Sequence, residues 1–206
     1  MKRKAIPFLA LTLAQVCEAT EAGTPSPRSW KTLRDDGVVK QRFDYSCGGA
    51  ALATLLQHYY GEPVDEAAVL KQIAAKGPAT FSSLSAAASH FGYEARGYAL
   101  SLEALRQLGL PAIVFLHAGN DNHFSVLRSI DARSVGLADP SLGNRVYAIP
   151  DFTRLWTTRL SRDYPGRALV VLPRKTARVG DRRFMRPIPA RFGGLPMRPF
   201  RPRSAV

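Results

Sequence analysis

The chain has 206 residues and a formal net charge of +13 at pH 7. This length is typical of a single globular domain. A positive charge of this size is common in nucleic-acid-binding proteins, but here it is unevenly distributed. Residues 173–206 contain ten basic and one acidic side chain, whereas residues 23–172 carry a net charge of only +3. The basicity therefore belongs to a C-terminal tail rather than to the domain, which argues against a nucleic-acid partner.

The first 22 residues have the pattern of a secretory signal peptide. Lys2, Arg3 and Lys4 form a positive n-region, and residues 5–16 form an apolar run of the usual length. The run is shorter than the roughly 20 apolar residues that a membrane-spanning helix needs. We therefore expect residues 1–22 to direct export to the periplasm or the exterior. The alternative is an uncleaved segment that anchors the protein to the membrane.

Cys47 is the one cysteine outside this leader. A lone thiol in a secreted protein is a reactive group, an intermolecular pairing site or a small buried hydrophobe. Gly48 and Gly49 follow it directly, and an Ala- and Leu-rich helical pattern begins at about Ala50. The start of a helix offers unpaired N–H groups and the positive end of the helix dipole, which favour a nucleophilic thiolate. This position favours the reactive thiol.

The remaining pattern predicts helices first and strands later. Residues 23–36 are polar and turn-rich and predict a linker that leads into a domain at 37–172. The predicted helices end near glycines and span residues 50–60, 66–76, 81–91 and 102–108. The predicted strands are 93–100, 111–116, 123–130, 133–138, 145–149 and 168–172, with a short helix at 151–156. This order predicts an α+β fold in which an N-terminal helical lobe packs against an antiparallel β-sheet lobe.

A cysteine nucleophile needs a histidine to move a proton and a third group to orient that histidine. His123 begins a predicted strand, which is a rigid element, and Asp139 ends the next strand. If the two strands are antiparallel neighbours, the imidazole and the carboxylate lie side by side at one edge of the sheet. Gln41 lies upstream of Cys47 and has a side-chain amide that can donate to an oxyanion.

Three motifs carry a family resemblance, in the order Q-R-F-D-Y-S-C-G-G-A-A-L-A, N-H-F-S-V-L and L-A-D-P-S-L-G. Together they resemble the bacteriocin-processing, double-glycine cysteine peptidases, cysteine peptidase family thirty-nine of the papain-like clan, over roughly residues 37–172. The resemblance implies a papain-like cysteine peptidase fold with Cys47 as the nucleophile and His123 as the general base and acid. It also implies that Asp139 orients the imidazole and that Gln41 and a backbone N–H near Cys47 form the oxyanion hole.

The same resemblance implies a substrate and a setting. The family cuts a peptide bond after a Gly-Gly or similarly small pair, usually in a leader peptide, and needs neither a cofactor nor a metal. Many relatives carry the domain at the N-terminus of an export transporter. This sequence has no second apolar span and no Gly-rich phosphate-binding motif, so we expect no transporter domain. It is similar to stand-alone members, including those of functional-amyloid secretion, so the expected partner is an exported protein or peptide.

Three alternatives stay open from the sequence. The domain can be a non-catalytic peptide-binding module of a secretion system, or an acyl or amide transferase that uses the same triad. His117 and Asp121 lie in a predicted polar loop at 117–122 and His123 directly follows it, which is a weak pattern for a metal site. Separately, the Arg- and Pro-rich residues 173–206 predict a disordered or loosely attached tail, with an anionic surface as a candidate contact.

Overall fold

An antiparallel sheet with helices on both faces forms the protein. The computed structural model describes residues 29–73, 77–118, 121–159, 161–175 and 180–193. The signal peptide predicted for residues 1–22 lies outside the described residues. Within the described part, no helix is both long enough and apolar enough to cross a membrane.

The order of the elements follows the predicted order. The described helices are α1 (Trp30–Arg34), α2 (Cys47–Thr54), a π-helix (Leu55–Tyr59), α3 (Glu66–Gln72), α4 (Phe81–His90), α5 (Leu102–Gln107) and α6 (Ile149–Trp156). The strands are β1 (Tyr93–Leu100), β2 (Ala112–Ala118), β3 (Asp121–Ile130), β4 (Ser134–Asp139), β5 (Gly143–Ala148) and β6 (Gly166–Pro173). The six strands form one sheet in the order β1-β6-β2-β3-β4-β5, and each neighbouring pair is antiparallel. The predicted α+β class is confirmed.

Alternate residues of each strand pack on opposite faces of the sheet, as the period of a strand requires. In β2, Ile113 belongs to the core shared with α2, α3 and α4, whereas Val114 belongs to the core shared with α5 and α6. Phe152 and Trp156 of α6 are fully buried in that second core. The helical lobe at the N-terminus therefore covers one face of the sheet, and the two later helices cover the other.

The helix α2 begins earlier than predicted, because its first turn contains Cys47, Gly48 and Gly49. Glycine is a weak helix former, so the pattern alone placed the start at about residue 50. In the structure, a Cβ added to Gly48 would lie 2.7 Å from the Cβ of Ala79 and 3.1 Å from Phe124. The lack of a side chain allows α2 to approach β3 closely, so packing explains the glycine.

Other boundaries differ by a few residues. α3 ends at Gln72 rather than at the predicted residue 76, and residues 74–76 lie outside the described part. β2 continues to Ala118 and β3 begins at Asp121, so strand pairing extends into the predicted polar loop at 117–122. The cross-strand pair His117↔Asn122 belongs to this extension.

Residues 180–193, which we name the C-terminal strap, pack against the domain. Phe184 and Phe192 are each only 4% exposed. The backbone N–H of Asp181 donates to the carbonyl oxygen of Tyr59 at 2.7 Å. This part of the predicted loose tail is therefore ordered against the core, because two buried phenylalanines anchor an otherwise Arg- and Pro-rich segment.

The predicted linker at 23–36 also contains structure. Ser29 caps α1 by accepting from the backbone N–H of Thr32 at 3.1 Å. The ring of Trp30 stacks on Phe192 with 4.7 Å between centroids. The segments on either side of the predicted 37–172 domain thus pack against each other.

We expect the strap to contribute to the stability of the domain. Phe184→Ala should lower the free energy of unfolding by about 3 kcal/mol, because it removes a buried aromatic side chain. Phe43→Ala is the matched control, since Phe43 is 50% exposed, and should change stability by less than about 0.5 kcal/mol. Urea unfolding followed by circular dichroism measures both. Equal effects of the two variants would contradict a stabilising strap.

Candidate active site

Three elements bring the predicted catalytic side chains to one place. Cys47 starts α2, His123 lies near the start of β3, and Asp139 ends β4. His123 Nε2 and Asp139 Oδ2 are 2.9 Å apart, and the two side chains are 14% and 0% exposed. The structure therefore places the imidazole and the carboxylate in direct contact, at the sheet edge where the sequence predicted them.

The register of the sheet explains this contact. Val126 pairs with Ala138 across β3 and β4, which sets Ser125 opposite Asp139. His123 lies two residues before Ser125 and therefore on the same face of β3. Ser125 is fully buried, and its hydroxyl donates to Asp139 Oδ2 at 2.6 Å. Sequence reasoning missed Ser125, although its position two residues after His123 was a usable signal.

The second carboxylate oxygen of Asp139 is held by the turn that follows β4. The backbone N–H groups of Ser141 and Leu142 each donate to Asp139 Oδ1 at 2.8 Å. An aspartate that accepts from the backbone two residues on is a common turn motif. With His123 and Ser125 on the other oxygen, the buried carboxylate has four donors and a fixed orientation.

The two groups shift each other's pKa in opposite directions. Burial alone lowers the pKa of His123, but the charge and hydrogen bond of Asp139, and then those of Cys47, raise it to about 10. Burial alone raises the pKa of Asp139, but His123 and the bonds from Ser125 and Leu142 hold it well below its ordinary value of 3.8. The pair is therefore an imidazolium beside a carboxylate at neutral pH.

The direction of each pKa shift defines the pH range in which the pair stabilises the folded state. The contribution of His123 is complete below its ordinary pKa of 6.5 and is lost as the pH rises towards about 10. The contribution of Asp139 is complete above its ordinary pKa of 3.8 and is lost as the pH falls through its lowered value. Both contributions are present between about pH 4 and 6.5.

Cys47 is 6% exposed and is close enough to His123 to help raise the pKa of the imidazole. Asp139 already occupies Nε2 of His123. The other ring nitrogen, Nδ1, is therefore the one available to the thiol of Cys47, whose hydrogen bond raises the pKa of His123. The side chain of Ser46 does not cap α2. Its hydroxyl lies 2.6 Å from Oε1 of Glu66 instead. The first N–H groups of the helix are thereby left available to an anion.

Glu66 anchors the loop before the nucleophile, and sequence reasoning missed it. Its carboxylate is 2% exposed. Besides Ser46, it accepts from the backbone N–H of Arg42 at 3.0 Å. Glu66 lies in a helix 19 residues after Cys47, and nothing in the sequence distinguishes it from a solvent-exposed glutamate. Only the structure shows that it holds the loop before Cys47.

Gln41 joins the nucleophile loop to the turn after β4. Its Oε1 accepts from the hydroxyl of Ser141 at 2.6 Å, and its backbone N–H donates to the carbonyl oxygen of Pro140 at 3.1 Å. Its Nε2 donates to the carbonyl oxygen of Phe43 at 2.9 Å, while that of Asp44 lies 3.5 Å away, too far for a strong bond. The structure thus fixes the amide near the loop, and its role as an oxyanion donor stays a prediction.

The alternative metal site has no matching cluster. Within the described ranges, no group of three or more His, Cys, Asp and Glu side chains is arranged to hold a metal ion. The ring of His117 instead lies edge-on to Phe115, with 5.5 Å between centroids.

Comparison with known proteins places this site in a family. The model of the Peptidase C39 family matches residues 35–161. The chain belongs to the peptidase C39 family. This confirms the resemblance found in the sequence, and the matched range contains Cys47, His123 and Asp139.

Among curated proteins, the chain is 38% identical over 137 residues to the "Probable functional amyloid protease FapD" of Pseudomonas aeruginosa. That match covers 63% of this chain and 61% of the relative. A FapD of Pseudomonas fluorescens is 32% identical over 136 residues, which cover 62% of this chain and 60% of the relative. The chain thus spans about three fifths of the length of these curated C39 relatives.

Solved structures of C39 peptidases share the fold. The peptidase domain of Streptococcus ComA, described as a bi-functional ABC transporter of a quorum-sensing pathway, has a TM-score of 0.56 at 22% identity, covering 66% of this chain and 97% of that one. A double glycine motif protease from an AMS/PCAT transporter, solved with its leader peptide, has a TM-score of 0.55 at 28% identity. It covers 66% of this chain and 90% of that one. The predicted papain-like peptidase fold is confirmed.

Replacement of Asp139 should change the titration of His123. Asp139→Asn removes the charge that raises the pKa of His123 most, so the imidazole should lose its proton at a lower pH than the value of about 10 in the wild type. NMR of the ring protons between pH 5 and 11 measures the midpoint, and the ring signals of the exposed His90 provide an internal reference. An unchanged midpoint would show that Asp139 does not control the charge of His123.

Proposed function

We propose that the protein is a cysteine peptidase that hydrolyses a peptide bond in an exported partner protein. The observation that carries this proposal is the 2.9 Å contact of His123 with Asp139, together with a Cys47 close enough to raise the pKa of the same imidazole. This arrangement stabilises a thiolate–imidazolium pair, which is the activated state of a cysteine nucleophile. Family membership and the similarity to FapD support the same reaction class.

The geometry suggests a role for each side chain. The thiolate of Cys47 attacks the carbonyl carbon of the substrate, and the C=O double bond opens to an oxyanion. His123 donates its proton to the departing amine, the C–N bond breaks, and a thioester to Cys47 remains. His123 then takes a proton from water as the water attacks the thioester, the C–S bond breaks, and release of the carboxylic acid restores the thiolate–imidazolium pair. Asp139 holds the ring orientation throughout.

The oxyanion needs donors that are fixed before the reaction. In this proposal they are a backbone N–H at the start of α2, next to Cys47, and the side-chain amide of Gln41. The bond from Ser141 to Gln41 Oε1 fixes one end of the amide. The NH2 group of Gln41 donates to the carbonyl oxygen of Phe43 in the free protein. During the reaction it donates to the oxyanion instead, because the oxyanion carries more negative charge.

The substrate proposed is a peptide with Gly-Gly, or a similarly small pair, immediately before the cut. The similarity to the double glycine motif protease supports this choice. The similarity to a probable functional amyloid protease supports an exported partner. The signal-peptide pattern of residues 1–22 supports a periplasmic or secreted location, and contact of residues 173–206 with an anionic surface stays a prediction.

Reactivity of the thiol provides the first test. Cys17→Ser leaves Cys47 as the single thiol of the full chain, and a thiol-reactive probe should label it rapidly at pH 6. His123→Ala should slow this labelling at least tenfold, because it removes the cation that stabilises the thiolate. His90→Ala is the matched control and should leave the rate unchanged. Slow labelling of the parent chain that His123→Ala does not change would contradict an activated pair.

Hydrolysis of a Gly-Gly peptide tests the oxyanion hole. Gln41→Ala should lower kcat by about 10² to 10³ with little change in KM, because its amide donates to the transition state rather than to the substrate. Gln57→Ala changes an exposed glutamine of the π-helix and is the control. Incorporation of labelled oxygen from water into the new carboxylate distinguishes hydrolysis from acyl transfer. A Gln41→Ala variant with wild-type kcat would remove Gln41 from the mechanism.

A further inference from the structure

Three buried polar atoms near the active site have no protein acceptor. They are Nζ of Lys40, Nε of Arg145 and the hydroxyl oxygen of Tyr147, and we name these residues the Lys40 cluster. Each atom is buried, and none has a hydrogen-bond partner among the described residues. Lys40 and Arg145 also make no ion pair within the described ranges. A buried donor without an acceptor is costly, and a buried cation without one is more so.

The strand register places two members of the cluster beside Asp139. Asp139 pairs with Gly143 across β4 and β5. Arg145 and Tyr147 follow Gly143 at intervals of two residues, so all three lie on the same face of β5. The side chain of Asp139 belongs to the corresponding face of β4. The guanidinium and the phenol therefore extend along the sheet from the buried carboxylate.

The third member enters from the loop before α2. Lys40 precedes Gln41, whose backbone N–H donates to the carbonyl oxygen of Pro140 at 3.1 Å. This bond sets Lys40 next to the end of β4. Its ammonium is close enough to Asp139 and Arg145 for both charges to affect its pKa. The loop and the sheet thus bring two cations and one phenol to the same region.

The nearby carboxylates of Asp35 and Asp139 bond to other donors and not to the cluster. Asp35 accepts two bonds of 2.9 Å from Arg34. Asp139 accepts four, from a histidine, a serine hydroxyl and two backbone N–H groups. A carboxylate offers about four acceptor sites, so Asp139 has none left for the cluster. Neither carboxylate accepts a hydrogen bond from Nζ of Lys40 or Nε of Arg145, so both donors stay without an acceptor among the described residues.

The protonation states of Lys40 and Tyr147 are compatible with binding of an anion. Burial lowers the pKa of Lys40, and the charges of Arg34 and Arg145 lower it further, whereas Asp35 and Asp139 raise it. Burial raises the pKa of Tyr147, and the charge of Asp139 adds to this effect. The phenol therefore stays a neutral donor, and a bound anion would favour the charged form of Lys40.

We propose that Lys40, Arg145 and Tyr147 bind a small monovalent anion, of the size of chloride, beside Asp139. One such ion supplies the acceptor that all three donors lack and neutralises part of the charge of the two cations. The burial of the three atoms restricts the ligand to a small ion. This site is separate from bond cleavage, so its test does not depend on the proposed peptidase activity.

Thermal unfolding of the full chain tests the site. The melting temperature is measured at one fixed ionic strength while gluconate, which is too large for the site, is replaced by chloride or bromide. We expect a saturable rise of about 5 °C with either halide, because an ion that binds only the folded state stabilises it. An equal melting temperature in gluconate and in both halides would overturn the proposal.

Substitutions in the cluster separate ion binding from general stability. Lys40→Met should melt at a higher temperature than the wild type in gluconate, because an unmatched buried charge is removed, and it should lose the chloride response. Tyr147→Phe keeps the ring and should raise the half-saturating chloride concentration about tenfold. Tyr164→Phe changes a tyrosine that is 54% exposed and should respond like the wild type.

Bromide provides a direct view of the site. Crystals grown in bromide should show an anomalous scattering peak between Lys40, Arg145 and Tyr147. A water molecule at this position without anomalous signal would overturn the proposal. A Tyr147→Phe variant with the half-saturation of the wild type would overturn it as well.

Discussion

The contact between Gly48 and Phe124 sets the distance between the helix that starts at Cys47 and the strand that carries His123. A Cβ on Gly48 would lie 3.1 Å from Phe124 and 2.7 Å from Ala79, which is closer than side chains pack. A larger residue there would push α2 away from β3, and the thiol would move away from the imidazole. The proximity of Cys47 and His123, the proposed catalytic pair, therefore depends on the absence of a side chain at residue 48.

Buried polar bonds extend this constraint to the remaining residues of the site. The turn after β4 holds Asp139 and, through Ser141, also holds Gln41. The loop before α2 is held from the other side by Glu66 through Ser46. The proposed nucleophile, the proposed base and the amide of Gln41 are thus fixed to one another before any substrate arrives. Such preorganisation lets the site stabilise charge in the transition state with little rearrangement.

Much of this arrangement was accessible from the sequence, because it rests on periodicity. The alternation predicted two successive strands, and His123 and Asp139 could be placed side by side on the condition that these strands pair. The family resemblance implied their roles. Glu66 was not predicted, since buried and exposed glutamates look alike in a single sequence. Ser125 was also missed, although its position two residues after His123 places it on the same face of β3. The start of α2 was misplaced because packing at Gly48 overrides the low helix propensity of glycine. The burial of Glu66 and the start of α2 are determined by tertiary contacts, which the local sequence pattern does not reveal.

The strap was missed for a related reason, since arginine and proline dominated its composition while two phenylalanines determined its position. Its end also has a consequence for the sheet. Gly193 forms an isolated parallel bridge with Val146 of β5, which is one of the two edge strands of the sheet. An edge strand otherwise presents unpaired backbone groups to which an extended chain can add. Among the described residues, β1 at the opposite edge has no such bridge, so the two edges of the sheet are unequal.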